Sequence, residues 1–535
     1  MRCEGPDVNL PPTAAAMTPA IASACAWLKA TAPGARLTSD SRRVGAGDVF
    51  FAYAPAPGIV LDGRHFIDDA IERGAAAVVF DDADFSWDAH WPVPHMAFTR
   101  LQPHAGLLAS AHYGAPGDAM FSVAVTGTNG KTSCTQWLAA ALSRKGPPSV
   151  VIGTFGVGLV EHGESSGFDV TGYTTPDAVQ LQDALAGARA RGATSLAIEA
   201  SSIGLAQQRM EGLHIDVALF TNLTRDHLDY HGDMVAYEAA KTRLFDWPGL
   251  RHAVLNLDDP MGLRLVAHLR ATAPQVSLTG YTIAGARGEV LGTGGVLLAA
   301  SDIRGSHAGT QFQLQAPFST PTSKNLMRTH LVGDFNVSNV LGVLGVLLAK
   351  GMAPADAVAA IEALQPVAGR MQQIGGPDQP LVVIDYAHTP DALQKTLASL
   401  RHLADSRQGA LWCVFGCGGD RDPGKRPQMG AISQAADHVV ITSDNPRNEV
   451  PAAIIADIVA GITDALAQGR APHVIEDRAT AILWALRHAA KTDVILLAGK
   501  GHERYQEIRG RKLQFLDADH AALALAARAT MKGPY

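Results

Sequence analysis

The chain has 535 residues, 47% of them hydrophobic, and 44 Lys and Arg against 51 Asp and Glu give a net charge of −7. That length fits about three domains of the usual ~100–200 residues. The acidic balance, without a basic tail or lysine-rich block, speaks against non-specific nucleic-acid binding, and the strongest apolar run, LGVLGVLLA (341–349), is far too short to span a bilayer.

At the N-terminus Glu4 and Asp7 spoil the positive start of a signal peptide, and Lys29 cuts the Ala-rich stretch short. The five cysteines, Cys3, Cys25, Cys134, Cys413 and Cys417, are an odd and sparse set that fits a reducing compartment. Cys413 and Cys417 read as small apolar residues around a strand end. Together these features predict a cytoplasmic protein with no membrane insertion.

Residues 1–113 hold short segments and several prolines and predict a smaller α/β domain, with a seam near HYGAPGDAM (112–120). From about residue 120 onward, β-like runs alternate with Ala- and Leu-rich helical segments. FSVAVT (121–126), SLAIEA (195–200), VALFTNL (217–223), LVVIDYA (381–387), LWCVFG (411–416), HVVITS (438–443) and DVILLAG (493–499) are mostly continuous apolar runs. That pattern suits parallel strands covered by helices on both faces, whose ligands sit beyond the strands' carboxyl ends. A second seam near LQPVAGRMQQ (364–373) gives expected domains of 1–113, 114–367 and 368–535. The Gly-rich stretch between 280 and 315 predicts hairpins inserted in the middle domain.

The stretch VAVTGTNGKTS (123–133) follows a predicted strand and opens a helix, the context of a phosphate loop. Gly127 and Gly130 allow a tight turn whose N–H groups, with the helix N-terminus, face anionic oxygens. Lys131 would neutralise phosphate charge and Thr132 would ligate Mg²⁺, with Thr128, Asn129 and Ser133 completing the loop. The sequence departs from GxxxxGK[ST] at Val125, where that pattern has glycine. The prediction is a nucleoside-triphosphate-binding chain.

GTNGKT is also the phosphate-loop form of the Mur ligase family, which includes folylpolyglutamate synthase. With DSRRV, DGRHFI, FTNLTRDHLDYHGDM, HLVGDFNVSN, VIDYAHTPDAL, FGCGGDRDPGKRP, SDNPRNE and LAGKGHERYQ, nearly the whole chain resembles that family, and most closely its diaminopimelate-adding members. The resemblance implies three α/β domains: a small N-terminal UDP-binding one, a central ATP-binding one with a mostly parallel sheet, and a Rossmann-like C-terminal one. It implies ATP-dependent addition of meso-diaminopimelate to UDP-N-acetylmuramoyl-L-alanyl-D-glutamate by a monomer, through an acyl phosphate.

Residue by residue, the resemblance implies that Glu199 and His227 hold Mg²⁺ with Thr132. Lys241 would carry a carbamate supporting a second Mg²⁺. Asn336, Arg370, Asp385 and His388 would serve ATP, and Ser41, Thr174, Thr175, Ser201, Gln207 and Arg209 the UDP-sugar peptide. Arg421, Asp444, Asn445, Pro446, Arg447, Gly499 and Glu503 would bind diaminopimelate. Tyr173 and Ile203 depart from the family's usual Asn and His. Alone, most of these residues have plainer readings: Lys241 as a surface helix lysine, Asn336 as a helix cap, Asp385 as a strand end, Arg447 as a solvated loop charge. Beside them stand three alternatives: a lysine-adding relative, which lacks the DNPR arginine, folylpolyglutamate synthase, and a catalytically silent nucleotide-binding scaffold. A guanidinium suits a distal carboxylate and an acid suits a distal ammonium; the resemblance implies that Arg447 and Arg421 contact carboxylates and that Gly499 and Glu503 complete the pocket.

Overall fold

A computed structural model describes residues 18–55, 61–285, 288–306, 309–318, 326–375, 378–463 and 471–531. Cys3, Glu4 and Asp7 lie outside the described residues.

Three sheets carry the chain. The first joins β1 (Leu37–Thr38), β2 (Val49–Ala52), β3 (Ala77–Asp81) and β4 (His95–Phe98), all parallel and in chain order. Alternate residues go to opposite cores: Val49 and Phe51 to one, Phe50 and Ala52 to the other.

The central sheet is built from β5 (Phe121–Thr126), β6 (Ser149–Gly153), β7 (Gly156–Glu161), β8 (Glu164–Ser165), β9 (Ser195–Glu199), β10 (Val217–Phe220), β11 (His252–Asn256), β12 (Ser277–Thr282), β13 (Val296–Ser306), β14 (Gly309–Gln315) and β15 (Leu326–Thr329). Its spatial order is β15-β14-β13-β12-β11-β10-β5-β9-β6-β7-β8. The middle, from β13 to β6, is parallel, and both edges finish antiparallel. The continuous apolar runs have their physical reason here. Val123 and Val125 face one helix layer and Ala124 faces the other, so both faces of the strand must be apolar. The Gly-rich stretch does form a hairpin, β13–β14, but it extends this sheet rather than standing apart from it.

The third sheet has the order β16-β17-β21-β18-β19-β20, from β16 (Gln372–Ile374), β17 (Leu381–Asp385), β18 (Leu411–Phe415), β19 (His438–Ile441), β20 (His473–Val474) and β21 (Val494–Ala498). All but β16 run parallel. A two-stranded ribbon, β22 (Tyr505–Ile508) and β23 (Arg511–Gln514), follows. The predicted strands are all present, and several stop earlier than their apolar runs. Just past the end of β10 at Phe220, Thr221 N still donates to Thr126 O at 3.0 Å while its hydroxyl donates to Asn129 O at 2.6 Å. Chain just beyond the carboxyl ends of the strands builds the site.

One ion pair anchors the last helix, Asp517–Met531. Arg478 and Asp517 are fully buried, 2.7 Å apart, and Arg478 also donates to Ala498 O at the end of β21. Removing one partner strands the other charge, which costs about 3–5 kcal/mol. Asp517→Ala is therefore expected to destabilise the unit containing the third sheet by about that amount in urea unfolding; a loss below ~1 kcal/mol would show that the pair is not an anchor.

Candidate active site

The phosphate loop starts where β5 ends. Gly127 has φ 148°, and a Cβ there would lie 1.9 Å from Thr221 Oγ1, so only glycine fits between β5 and the end of β10. The loop is fixed from behind: Asn129 N donates to Asn222 Oδ1 at 2.9 Å, and Thr128 Oγ1 sits 3.1 Å from both Thr224 O and Tyr237 Oη. Gly130 (φ 87°) opens the helix Lys131–Ser143. Val125 is a fully buried strand residue without a left-handed φ, so the departure from the usual loop pattern falls inside β5, where no glycine is required.

Lys131 Nζ donates to Gly127 O and Thr128 O, both at 2.8 Å. Lys241 Nζ donates to the same Gly127 O at 2.9 Å. Lys241 is no surface lysine. It is 1% exposed on the helix Met234–Thr242, which Asp233 caps, and its Nζ lies 4.4 Å from the centre of the Tyr237 ring. Burial pushes both amines below their ordinary value, that of Lys241 well below, with the Lys131 charge adding to the effect.

Opposite the lysines runs a line of oxygens. Arg370 Nη2 donates to Thr132 Oγ1 at 3.0 Å, which lies 3.4 Å from Thr154 Oγ1. Thr154 Oγ1 lies 3.4 Å from Thr174 Oγ1 and donates to Glu199 Oε2 at 3.2 Å, while Thr154 N donates to Glu199 Oε1 at 2.8 Å. Glu199 lies against the backbone of Gly153, where a Cβ would come within 2.2 Å of Oε1. His227, at a left-handed φ of 52°, places Nε2 3.5 Å from Asp226 Oδ2, and desolvation pushes its imidazole down against the pull of that acid. These groups line a cavity of about 130 Å³ together with Arg370, Tyr386 and His388. His231 instead lies 3.0 Å from Ser202 Oγ. Among the described residues, no three of His, Cys, Asp and Glu group as a protein-only metal cage.

A larger adjoining cavity, about 510 Å³, is lined by Asn129, Gly130, Ser133, Asn336, Arg370 and Asp385, among others. Asn336 and Asp385 also shape its backbone. Asn336 Nδ2 donates to Val332 O at 2.8 Å from inside its helix, and Asp385 accepts from Met371 N and Ala387 N at 2.9 and 3.0 Å. The His388 imidazole, pushed down to about 4 chiefly by burial, is neutral at pH 7 and donates from Nδ1 to Tyr386 O at 2.7 Å.

On the first-sheet side, Arg209 is clamped. Its Nε donates to Gln207 Oε1 at 2.9 Å, Nη1 to Thr175 O at 2.9 Å, and it stacks 4.4 Å over the Tyr173 ring. Thr175 and Ser201 hydroxyls lie 2.8 Å apart, and Thr175 also donates to Glu199 O, so this pair shapes the wall behind Glu199. Ser41, itself buried, opens a 3₁₀ turn capped by Asp40; the link to the central sheet runs through Ser39, whose hydroxyl donates to Asp177 at 2.8 Å.

At the carboxyl ends of β18, β19 and β21 the third cluster forms. Asn445 Nδ2 donates to Glu503 Oε2 at 2.7 Å. Asp444 lies against Gly499, where a Cβ would sit 2.5 Å from its carboxylate. After Pro446, Arg447 takes a left-handed φ of 51°, its backbone bonded to Glu507 O and Arg509 N. Its Nη1 donates to Gly419 O at 2.6 Å and its Nε lies 3.5 Å from Glu507 Oε2. Arg447 and the exposed Arg421 flank Gly418. Sequence reasoning missed Thr154, Lys500 and Glu507. Thr154 and Lys500 each follow an apolar run and a glycine, the only hint the sequence offered.

Models of known domains match in three parts: the Mur ligase family catalytic domain over residues 35–113, the Mur ligase middle domain over 125–347, and the Mur ligase glutamate ligase domain over 369–501. The UDP-N-acetylmuramoyl-L-alanyl-D-glutamate–2,6-diaminopimelate ligase of Janthinobacterium sp. (strain Marseille) is 63% identical over 511 residues, covering 96% of this chain and 98% of that protein. Its namesake from Ralstonia nicotianae (strain ATCC BAA-1114 / GMI1000) is 52% identical over 508 residues, 94% of this chain and 95% of that one. A solved structure of a ligase with that name is 34% identical, with a TM-score of 0.61 over 92% of this chain and 95% of that chain. With all three domain models of one family matched along it and relatives 63% and 52% identical over nearly the whole of both chains, the chain belongs to the Mur ligase family.

Proposed function

We propose that this chain adds meso-diaminopimelate to UDP-N-acetylmuramoyl-L-alanyl-D-glutamate at the expense of ATP, a step of cytoplasmic peptidoglycan precursor synthesis. One observation carries the reading: Arg370, from the segment entering the third sheet, reaches Thr132 of the phosphate loop at 3.0 Å and stacks over Tyr386, whose hydroxyl lies 3.4 Å from Glu503 Oε1 beside Asn445, so one tyrosine connects the nucleotide loop with that cluster. The proposed domains are 1–113 for the UDP-sugar, 114–367 for ATP and 368–535 for the amino acid, acting as a monomer.

In this proposal the backbone of Gly127 to Ser133, Lys131 and Arg370 hold the phosphates, with Asn336, Asp385 and His388 shaping the nucleotide cavity. The dipeptide carboxylate attacks the γ-phosphorus and ADP leaves. The amine of diaminopimelate then attacks the acyl carbon, loses a proton, and phosphate departs. Held reactants make this second step effectively unimolecular. Ser41, Thr174 and Arg209 serve the UDP-sugar peptide, with Thr175, Ser201 and Gln207 holding the wall in place.

The donors at the small cavity fit a hard cation. A hydroxyl and a carboxylate, Thr132 and Glu199, converge through Thr154, and Mg²⁺ ordinarily takes one or two carboxylates plus phosphate oxygens rather than a protein cage. Thr132, Glu199 and His227 would hold one Mg²⁺ and a carbamate on Lys241 a second, supplying charge neutralisation at the phosphates. Burial that favours the neutral Lys241 amine supports its capture of CO₂.

For the amino acid, Arg447 and Arg421 face the distal carboxylate and Glu503 the distal ammonium, with Asp444, Asn445, Pro446 and Gly499 fixing the loops. The direct test is phosphate release with the UDP-dipeptide and diaminopimelate, lysine or glutamate offered in turn: release with diaminopimelate is expected, and release with none of the three would favour a scaffold. Arg447→Ala should raise KM for diaminopimelate about 10–100-fold, the scale of a lost charged hydrogen bond, and leave KM for ATP within about 2-fold; an unchanged KM for diaminopimelate removes the role. Gly153→Ala should displace the Glu199 carboxylate and lower kcat by about 10-fold or more in the folded enzyme, alongside the ~1–3 kcal/mol of stability that overpacking costs. Full activity in that variant would mean that Glu199 is not needed where it stands.

A further inference from the structure

Lys500 has no exposed surface at all, and a buried ammonium is tolerated only when its donors and its charge are met. It follows Gly499 at the end of β21, and each of its three donors has a partner. Nζ lies 3.2 Å from Asn445 Oδ1, 3.2 Å from Glu503 Oε2 and 2.6 Å from Tyr505 O. These three acceptors belong to three separate parts of the amino-acid cluster: the loop after β19, the acid, and the start of the β22–β23 ribbon.

We propose that Lys500 is the positioning residue of this cluster, holding Asn445 and Glu503 in the one arrangement that reads the distal ammonium of the incoming amino acid. The inference rests on the amino-acid site proposed above. Asn445 Oδ1 accepts from both Lys500 and Glu507 N (2.9 Å), which turns its Nδ2 toward Glu503 Oε2. Glu503 Oε2 is thereby held by two donors, and Oε1, facing only the Tyr386 hydroxyl at 3.4 Å, is the oxygen left for an ammonium. Burial and the neighbouring Asp444 both disfavour the Glu503 anion, and Lys500 is the cation that opposes them. Through Tyr505 O the same ammonium ties down the ribbon that carries Glu507, the acid beside Arg447. Lys500 thus acts on the ammonium reader directly and on the carboxylate reader at one remove.

The test uses the full chain with Lys500→Met and Lys500→Gln, assayed with meso-diaminopimelate and with 2-aminopimelate, which keeps the distal carboxylate but lacks the distal ammonium. Lys500→Met is expected to raise KM for diaminopimelate about 10-fold or more, with KM for ATP within about 2-fold. The preference for diaminopimelate over 2-aminopimelate should shrink toward unity. Lys500→Gln, which restores donors without charge, should recover part of the KM but not the preference. Adding Lys500→Met to Glu503→Gln should cost no more than about 2-fold further, because one residue acts through the other. An equal loss for both amino acids, an additive double variant, or unchanged KM values would each overturn the proposal. Should the Met variant fail to fold, the Gln variant carries the same comparison. A wild-type chain that adds neither amino acid would instead overturn the proposed function.

Discussion

Two lysine amines, that of Lys241 buried and that of Lys131 partly exposed, donate to one carbonyl oxygen, that of Gly127. Burial and mutual repulsion disfavour charging both, Lys241 most of all, and an anion facing them would relieve that cost. The arrangement depends on the glycine twice. Only there can the backbone pass against Thr221, and only that passage turns its carbonyl toward both lysines. The acidic side of the cleft, Glu199 with Thr154 and Asp226 with His227, completes an alternation of charge that suits a polyanion and the hard cations accompanying it. Phosphoryl transfer needs little else from a protein but position and charge.

Because the lysines belong to the central sheet and the amino-acid cluster to the third, the chemistry depends on how their edges meet. Arg370 spans that boundary: its guanidinium stacks 4.4 Å over the Tyr386 ring and reaches Thr132. A second contact lies alongside, with Phe155 of the central sheet 4.3 Å from His502, and His502 5.3 Å from Tyr386. Tyr386 in turn donates to Glu503. Arg370, which reaches the phosphate loop, and Glu503, proposed to meet the distal ammonium, are therefore linked through a single tyrosine. Edge-to-face rings and a cation over a ring tolerate small rotations better than a rigid ion pair does, which suits a boundary between two domains.

Much of this was legible in the sequence, for definite reasons. Strands buried on both faces must be continuously apolar, so β5, β9, β10, β17, β18, β19 and β21 announced themselves. The phosphate loop was legible because glycine spacing and a following helix rarely coincide otherwise. Lys241 was legible only through resemblance, since its own helix reads as ordinary and amphipathic. What buries it is Tyr237 and the distant Gly127 loop, which no local pattern encodes. Thr154, Lys500 and Glu507 escaped because each is a single polar residue with a partner distant in the chain: Glu199 for Thr154, Asn445 for Lys500 and Arg447 for Glu507. Asn336 and Asp385 were read for ATP or as plain cap and strand end; the first bonds a backbone carbonyl from within its helix, and the second holds two backbone amides.

Arg447 shows why one residue does not settle selectivity alone. A guanidinium of five donors that gives one to Gly419 O and sets another near Glu507 is already half satisfied. Its remaining edge can take a carboxylate, while Glu507 limits how strongly an unpaired guanidinium would demand one. The left-handed backbone at Arg447, uncommon outside glycine, is held by ribbon bonds on both sides and keeps that edge aimed. On the proposed assignment, a substrate lacking the distal carboxylate would leave this edge unmet, and one lacking the distal ammonium would leave the half-buried Glu503 beside Asp444, with Lys500 as the cation in contact with it. In the proposed site, selectivity would then come from two groups left unmet, each tempered by a neighbour of opposite charge, and a molecule would have to answer both to be bound well.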